Sequence, residues 1–191
     1  VAKTKTTIHP SAIVETKKIG HSTRIWAYVH ILKKVEIGNN CNICDHVFIE
    51  QNVKLGNNVT VKSGIYIWEG VEIADNVFLG PNVVFTNDIR PRSKLYKEPV
   101  KTIIEKGASV GANSTVLAGI IIGKYAMSGI GSVITRDVKP HALVYGNPAK
   151  QHGWVDEFGN KLKKKPSGKW ISEESGQVYS ESESGLKKIK K

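Results

Sequence analysis

VEIGNNCNICDHVFIEQN (35–52), VKLGNNVTVKSGIYIWEG (53–70) and VEIADNVFLGPNVVFTND (71–88) are consecutive blocks of eighteen residues cut to one pattern. In each block an aliphatic residue returns every sixth position. The series runs Ile13, Ile19, Ile25, Ile31, Ile37, Ile43, Ile49, Leu55, Val61, Ile67, Ile73, Leu79, Phe85, thirteen units without a slip. The fourth residue after each is mostly small or β-branched, as in Thr23, Val29, Cys41 and Val59, and Gly, Asn and Asp gather between. An amphipathic helix needs a period of 3.6, so a strict period of six rejects it. β-branched residues suit short strands, and Gly and Asn accept the backbone angles of tight turns. Three hexads per coil make an all-β parallel β-helix.

The register breaks after Phe85, where residues 89–103, rich in Arg, Lys and Pro, read as an inserted loop. It resumes with Ile104, Val110, Val116, Ile122, Ser128 and Ile134, and Ala108, Ser114, Ala126 and Ser132 are the small partners. The expected organisation is a β-helix over 7–150 and a C-terminal extension over 151–191, made of short antiparallel strands and a basic tail. Trp154, Trp170, Phe158 and Tyr179 are its expected anchors, and a disordered tail is the alternative for the last dozen residues.

With 191 residues, 40% of them hydrophobic, the chain can bury a core of its own. No apolar run approaches the length of a membrane span, and the first residues contain no secretory h-region, so the expected compartment is the cytoplasm. The net charge of +11 is concentrated in Lys161, Lys163, Lys164, Lys165, Lys169, Lys187, Lys188, Lys190 and Lys191. These lysines lack the aromatic interleaving of a strand-binding groove and read as a solvated face, so no nucleic-acid partner is expected. Cys41 and Cys44 have no second ligand pair for zinc, and the repeat turns one inward and places the other at a turn.

Stacked coils place residues eighteen apart above one another. Lys18, Glu36, Lys54 and Glu72 then form an outward column of alternating charge. His30, Phe48, Tyr66 and Val84 form an outward apolar column, which asks for a subunit contact or a ligand. The next corner stacks Gln51, Glu69 and Asn87 beside Glu50, Trp68 and Thr86, close to the inserted loop. This corner is the candidate site; an ordinary solvated turn is the plainer reading.

The hexads over residues 7–152 and the closing run Gly146-Asn147-Pro148-Ala149-Lys150 resemble the hexapeptide-repeat acyltransferases, whose β-helix is left-handed. More narrowly, IWAYVH (25–30), VFTNDIRPRS (84–93) and QHGWVDEFGNKL (151–162) resemble the nucleotide-sugar 3-N-acetyltransferases. The resemblance implies transfer of acetyl from acetyl-CoA to the 3-amino group of a UDP- or dTDP-linked sugar for surface polysaccharide. It also implies a homotrimer with CoA between neighbouring prisms, and no metal. Catalytic candidates are Asn87 and Glu69, which hold the amine, and His30, a general base in competition with the departing thiolate as proton acceptor. Asp88, Arg90, Arg92, Trp68, Gln51 and Tyr66 are candidates for the nucleotide sugar, with Arg92 first for the diphosphate. Gly111, Ser128, Gly129 and Gly131 are candidates to clear a path for pantetheine, and Arg136 and Lys150 to meet CoA phosphates. The rivals are a 4-amino-sugar acetyltransferase, a noncatalytic scaffold and a zinc carbonic anhydrase of the same fold; the last needs three converging histidines.

Overall fold

The computed structural model describes residues 4–189, and Lys190 and Lys191 of the basic tail lie outside the described residues. Three sheets of nine, seven and five strands, parallel but for the last pair of the nine-stranded one, wrap one apolar core, and a fourth, antiparallel sheet of four strands follows. Strands of the coils are two or three residues long because each coil must turn three corners. Their register is the eighteen-residue one: Asn42 pairs Thr60, Phe48 pairs Tyr66, and Glu36 pairs Lys54. Backbone amides are satisfied from coil to coil, as in Arg24 N–H to Cys41 O at 2.8 Å and Asn42 N–H to Val59 O at 2.8 Å.

Ile25 through Ile134 of the hexad series, with Thr23, Cys41, Ala108, Ser114, Ala126 and Ser132, are buried. Corners hold left-handed residues such as Asn40, Asn58 and Asn76, at φ of 54°, 57° and 59°. Gly38 is forced by stacking rather than by its φ, since a Cβ there would lie 2.4 Å from the Gly56 carbonyl oxygen.

The first coil departs from the expected series. Ile8 pairs Ile25 and Val14 pairs Ile31, both seventeen apart, whereas Ile19 bridges Ile37 at eighteen. The coil is one residue short, so Val14 faces the core and Ile13 is 58% exposed. The charge column is also only partly paired: Lys18 meets Glu36 at 2.7 Å, but Glu72 pairs with Lys101 at 2.9 Å, and Lys54 forms no ion pair among the described residues. At the interruption Phe85 pairs Val116 and Ile73 pairs Ile104. That is thirty-one residues where eighteen would do, an insertion of thirteen (31 − 18). Thr102 and Ile103, read from the sequence as its end, already sit in the strand Thr102–Ile104.

After the last coil, Ala142–Gly146 and Ala149–Trp154 pair antiparallel, and the fourth sheet runs Lys163–Lys164, Trp170–Ile171, Val178–Ser182 and Gly185–Lys188. Residues 180–188 of the last dozen therefore form two strands and the turn between them. Trp154 and Tyr179 are buried and Trp170 packs against the core, but Phe158 is 73% exposed at the tip of a turn and anchors nothing. The fastening is Asp156. Its buried carboxylate accepts from Ser172 Oγ (2.7 Å), Ser175 Oγ (3.0 Å), Asn160 Nδ2 (3.1 Å) and the amides of Phe158 and Asn160 (2.9 Å each). Burial pushes its pKa up, and the donors outweigh burial, holding it at about 2.

Two outcomes are expected. Val14→Asp buries an unpaired charge and should lower stability by about 1–3 kcal/mol, while Ile13→Asp changes it little; thermal melting of the pair tests the short first coil. Asp156, depressed from 3.8 to about 2, contributes about 2 kcal/mol that is fully present above pH 3.8 and lost as pH falls toward 2. Melting temperatures of Asp156→Asn should start lower at neutral pH and show a shallower fall across that window.

Candidate active site

The seven-stranded sheet presents its outward column to an aromatic cleft of about 450 Å³ lined by Tyr28, His30, His46, Val47, Phe48, Tyr66 and Trp68. Rings meet edge to face: His30 and Phe48 have centroids 5.6 Å apart, Phe48 and Tyr66 6.2 Å, Tyr66 and Trp68 5.9 Å. Tyr28 and His46 stack at 5.0 Å. Trp68 is pinned by its indole N–H, which donates to the Phe85 carbonyl at 2.9 Å.

Trp68 leads directly into the polar corner. Glu69 accepts from Gln51 Nε2 at 3.2 Å and from Asn52 Nδ2, and its own amide donates to Glu50 Oε2 at 2.8 Å. Thr86 Oγ1 accepts from the Ala118 amide at 2.9 Å. Asn87 is half-buried; its carbonyl accepts from Val100 N–H at 3.4 Å and pinches the base of the loop, while its side-chain amide makes no hydrogen bond among the described residues. Gln51 was expected to face substrate, yet its amide is committed to Glu69.

In the loop, Asp88 Oδ1 accepts from Arg90 N–H at 2.7 Å and lies 3.9 Å from Lys97 Nζ. Arg92 Nη1 donates to its neighbour Pro91 O at 2.9 Å, which leaves the guanidinium exposed. Tyr96 extends from the loop, and the adjacent Glu98 carboxylate raises its pKa, with Glu69 adding to the effect. The loop tyrosine is thus within electrostatic reach of the corner.

His30 is not brought to this corner. Its strand reaches that of Val84 through Phe48 and Tyr66, three coils along the axis, roughly 14 Å at ~4.8 Å per coil. Its Nε2 lies 3.2 Å from Glu15 Oε1. Sequence spacing put His30 and Asn87 on one side of the prism but said little about their separation along it.

At the far end, Arg136, Lys139 and Lys150 line a cleft of about 280 Å³ with Val144, Ala149 and Gln151, so the expected phosphate pair does converge. A larger cleft, about 780 Å³, lies at another corner, where Asn39, Asn57 and Asp75 form a hydrogen-bonded ladder: Asn39 Nδ2 to Asn57 Oδ1 and Asn57 Nδ2 to Asp75 Oδ1, both 3.1 Å. Its side chains serve the coil stack. Among the described residues no three His, Cys, Asp or Glu side chains are grouped to hold a metal ion, and Cys41 and Cys44 are free thiols whose pKa values burial raises.

Residues 16–51 and 52–87 match the bacterial transferase hexapeptide family (six repeats), and 101–136 match the hexapeptide repeat of succinyl-transferase. The chain is also 68% identical over 157 residues, 82% of either chain, to the dTDP-3-amino-3,6-dideoxy-α-D-galactopyranose 3-N-acetyltransferase of Aneurinibacillus thermoaerophilus. The chain belongs to the hexapeptide-repeat transferase family. Two solved structures share the fold of this hexapeptide transferase. One is a GDP-perosamine N-acetyltransferase from Caulobacter crescentus in complex with CoA and GDP-perosamine (TM-score 0.56, 21% identity); the match covers 79% of this chain and 58% of that one. The other is AntD, an N-acyltransferase from Bacillus cereus in complex with dTDP and coenzyme A (TM-score 0.51, 19% identity, 78% and 80% covered).

Four residues expected to make room for cofactor in this hexapeptide transferase have structural reasons of their own. Ser128 is 3% exposed and points into the core, where its Oγ accepts from Gly111 N–H at 3.0 Å and lies 3.5 Å from Ser114 Oγ. A Cβ on Gly111 would come within 2.6 Å of the Gly129 backbone, one on Gly129 would come within 2.9 Å of Tyr145, and Gly131 has φ 65°. Conversely, sequence reading passed over Tyr28, His46 and Asn52. The signal was present: Tyr28 and His46 occupy left-handed corner positions (φ 57° and 59°) that most other corners of this chain give to Gly or Asn. Ser128→Ala should lower stability by about 1 kcal/mol through the orphaned Gly111 amide, with the KM for acetyl-CoA unchanged. Chemical denaturation and a CoA titration measure the two.

Proposed function

We propose that this chain transfers acetyl from acetyl-CoA to the 3-amino group of a dTDP-linked 3-amino-3,6-dideoxyhexose. The observation that carries the reading is the 68% identity, along 82% of both chains, to the enzyme of that name. The corner agrees with it chemically: a carboxylate and an uncommitted amide, Glu69 and Asn87, sit one coil apart beside an aromatic cleft and under a basic loop. Glu69 accepts a hydrogen bond from the sugar amine, Asn87 orients it, and Tyr66 and Trp68 form the wall against which the nucleotide lies. Arg90 and Arg92 reach the diphosphate, and Asp88 shapes the loop that bears them. Arg136 and Lys150 take the CoA phosphates, while Gly111, Gly129 and Gly131 keep the later corners open to pantetheine.

The amine nitrogen attacks the thioester carbonyl carbon and forms the new C–N bond. The tetrahedral oxyanion collapses, the C–S bond breaks, and the departing CoA thiolate takes the proton that the nitrogen sheds. His30, two coils from Glu69 and three from Asn87, has no part in this step. In the cell the enzyme works in the cytoplasm as a homotrimer, where its substrates are made, and its product serves surface polysaccharide. A 4-amino acceptor requires the amine to shift by one ring carbon from the same corner; the scaffold reading requires no turnover at all.

Thiol release from acetyl-CoA, measured across dTDP-3-amino, dTDP-4-amino and UDP-3-amino sugars, should be fastest with the first; a preference for the 4-amino sugar, or no release with any, defeats the proposal. Asn87→Ala should lower kcat at least ~10²-fold with a melting temperature close to wild type.

A further inference from the structure

Glu69 is held without a cation, unlike the five surface glutamates that meet a lysine. Glu36, Glu72, Glu157, Glu173 and Glu181 each lie against a lysine. The chain contains 28 Lys and Arg against 17 Asp and Glu, so a basic partner is easily supplied. Glu69 nevertheless forms no ion pair among the described residues; its two oxygens are taken separately by neutral amides, Oε2 by Gln51 and Oε1 by Asn52. A carboxylate only accepts, so the amide nitrogens must face it. Amides fix a carboxylate's direction without cancelling its charge, whereas lysine does both. The backbone amide of Glu69 is likewise held by a second acid, Glu50. The corner therefore places two acids, Glu69 and Glu50, side by side on a basic protein, with Tyr96 and Glu98 of the loop close enough to feel them.

We propose that Gln51 and Asn52 are positioning residues that hold Glu69 in place while leaving its charge uncompensated, so that the corner selects a primary ammonium, the protonated 3-amine of the sugar, over the hydroxyl it replaces. The inference rests on the assignment of Glu69 to the acceptor amine. Two donors leave about half of the carboxylate's roughly four acceptor positions open on its solvent side, where the incoming ammonium binds; it releases one proton to bulk water, and the neutral amine then attacks the thioester.

Asn52 has a built-in control. Its column neighbour one coil earlier is Lys34, and both residues have φ 62°, so this corner already accommodates lysine. Asn52→Lys supplies the missing cation without straining the turn. The expected result is a KM for the dTDP-3-amino sugar raised roughly tenfold, the loss of about one charge-assisted contact. The KM for acetyl-CoA and the melting temperature should remain as in wild type. The inhibition constant of the matching dTDP-3-hydroxy sugar, which carries no ammonium, should not change, and a purely structural role for Asn52 predicts no such split. Equal weakening of the amino and hydroxy ligands, or an unchanged KM, overturns the inference. Glu69→Gln separates the two levels: if it binds and turns over the amino sugar as wild type does, the assignment of Glu69 fails; if it loses amino-sugar affinity and Asn52→Lys does not, only the role of Asn52 fails.

Discussion

Every coil of this protein answers to one requirement: the backbone N–H and C=O groups of a two-residue strand find partners only on the coils above and below. Arg24, Asn42 and Thr60 donate in turn to Cys41, Val59 and Val77 at 2.8–2.9 Å, and this chain of bonds holds each coil in register with the next. The same requirement sets corner chemistry. A corner that must reverse direction within the stacking distance of the next coil excludes a Cβ at Gly38 and demands left-handed residues at Asn40 and Asn58. Burial of the hexad residues then follows from geometry, since each strand has one residue that faces the axis.

Because side chains repeat along a column, function has to come from departures within columns. Lys34, Asn52 and Gly70 occupy one position in successive coils, and the change from lysine to asparagine to glycine alters what the corner offers to Glu69. The outward column of the seven-stranded sheet passes from His30, Phe48 and Tyr66 to Val84, Thr115 and Val133, so its aromatic part ends near the level at which the loop leaves. A uniform scaffold thus acquires a polar corner, an aromatic wall and a basic overhang at one level of the stack.

Most of the fold was legible because a period of six leaves a trace in every unit. The slip at Ile13 was not, since Ile13 and Val14 are both apolar and only pairing distinguishes which faces inward. The candidate corner was legible as a column, but its internal bonds were not: Gln51 and Asn52 turn their amides to Glu69, a matter of side-chain direction that spacing does not encode. Ser128 misled for a related reason. A small polar residue in an aliphatic series reads as room made for a ligand, and here it also satisfies a backbone amide inside the core. Phe158 erred the other way, an aromatic residue that stays 73% exposed at the lip of a cleft between its turn and the coils instead of entering the core.

The thirteen inserted residues leave the stack and rejoin it without altering the pairing on either side, for Phe85 still meets Val116 and Ile73 still meets Ile104. Their two ends are drawn together by the bond from Val100 to the Asn87 carbonyl. Such a segment is an exchangeable cassette. The closure entropy of a loop grows only slowly with its length, so evolution can lengthen, shorten or replace it at modest cost to the scaffold, and related proteins can change what they recognise while the coils beneath stay the same.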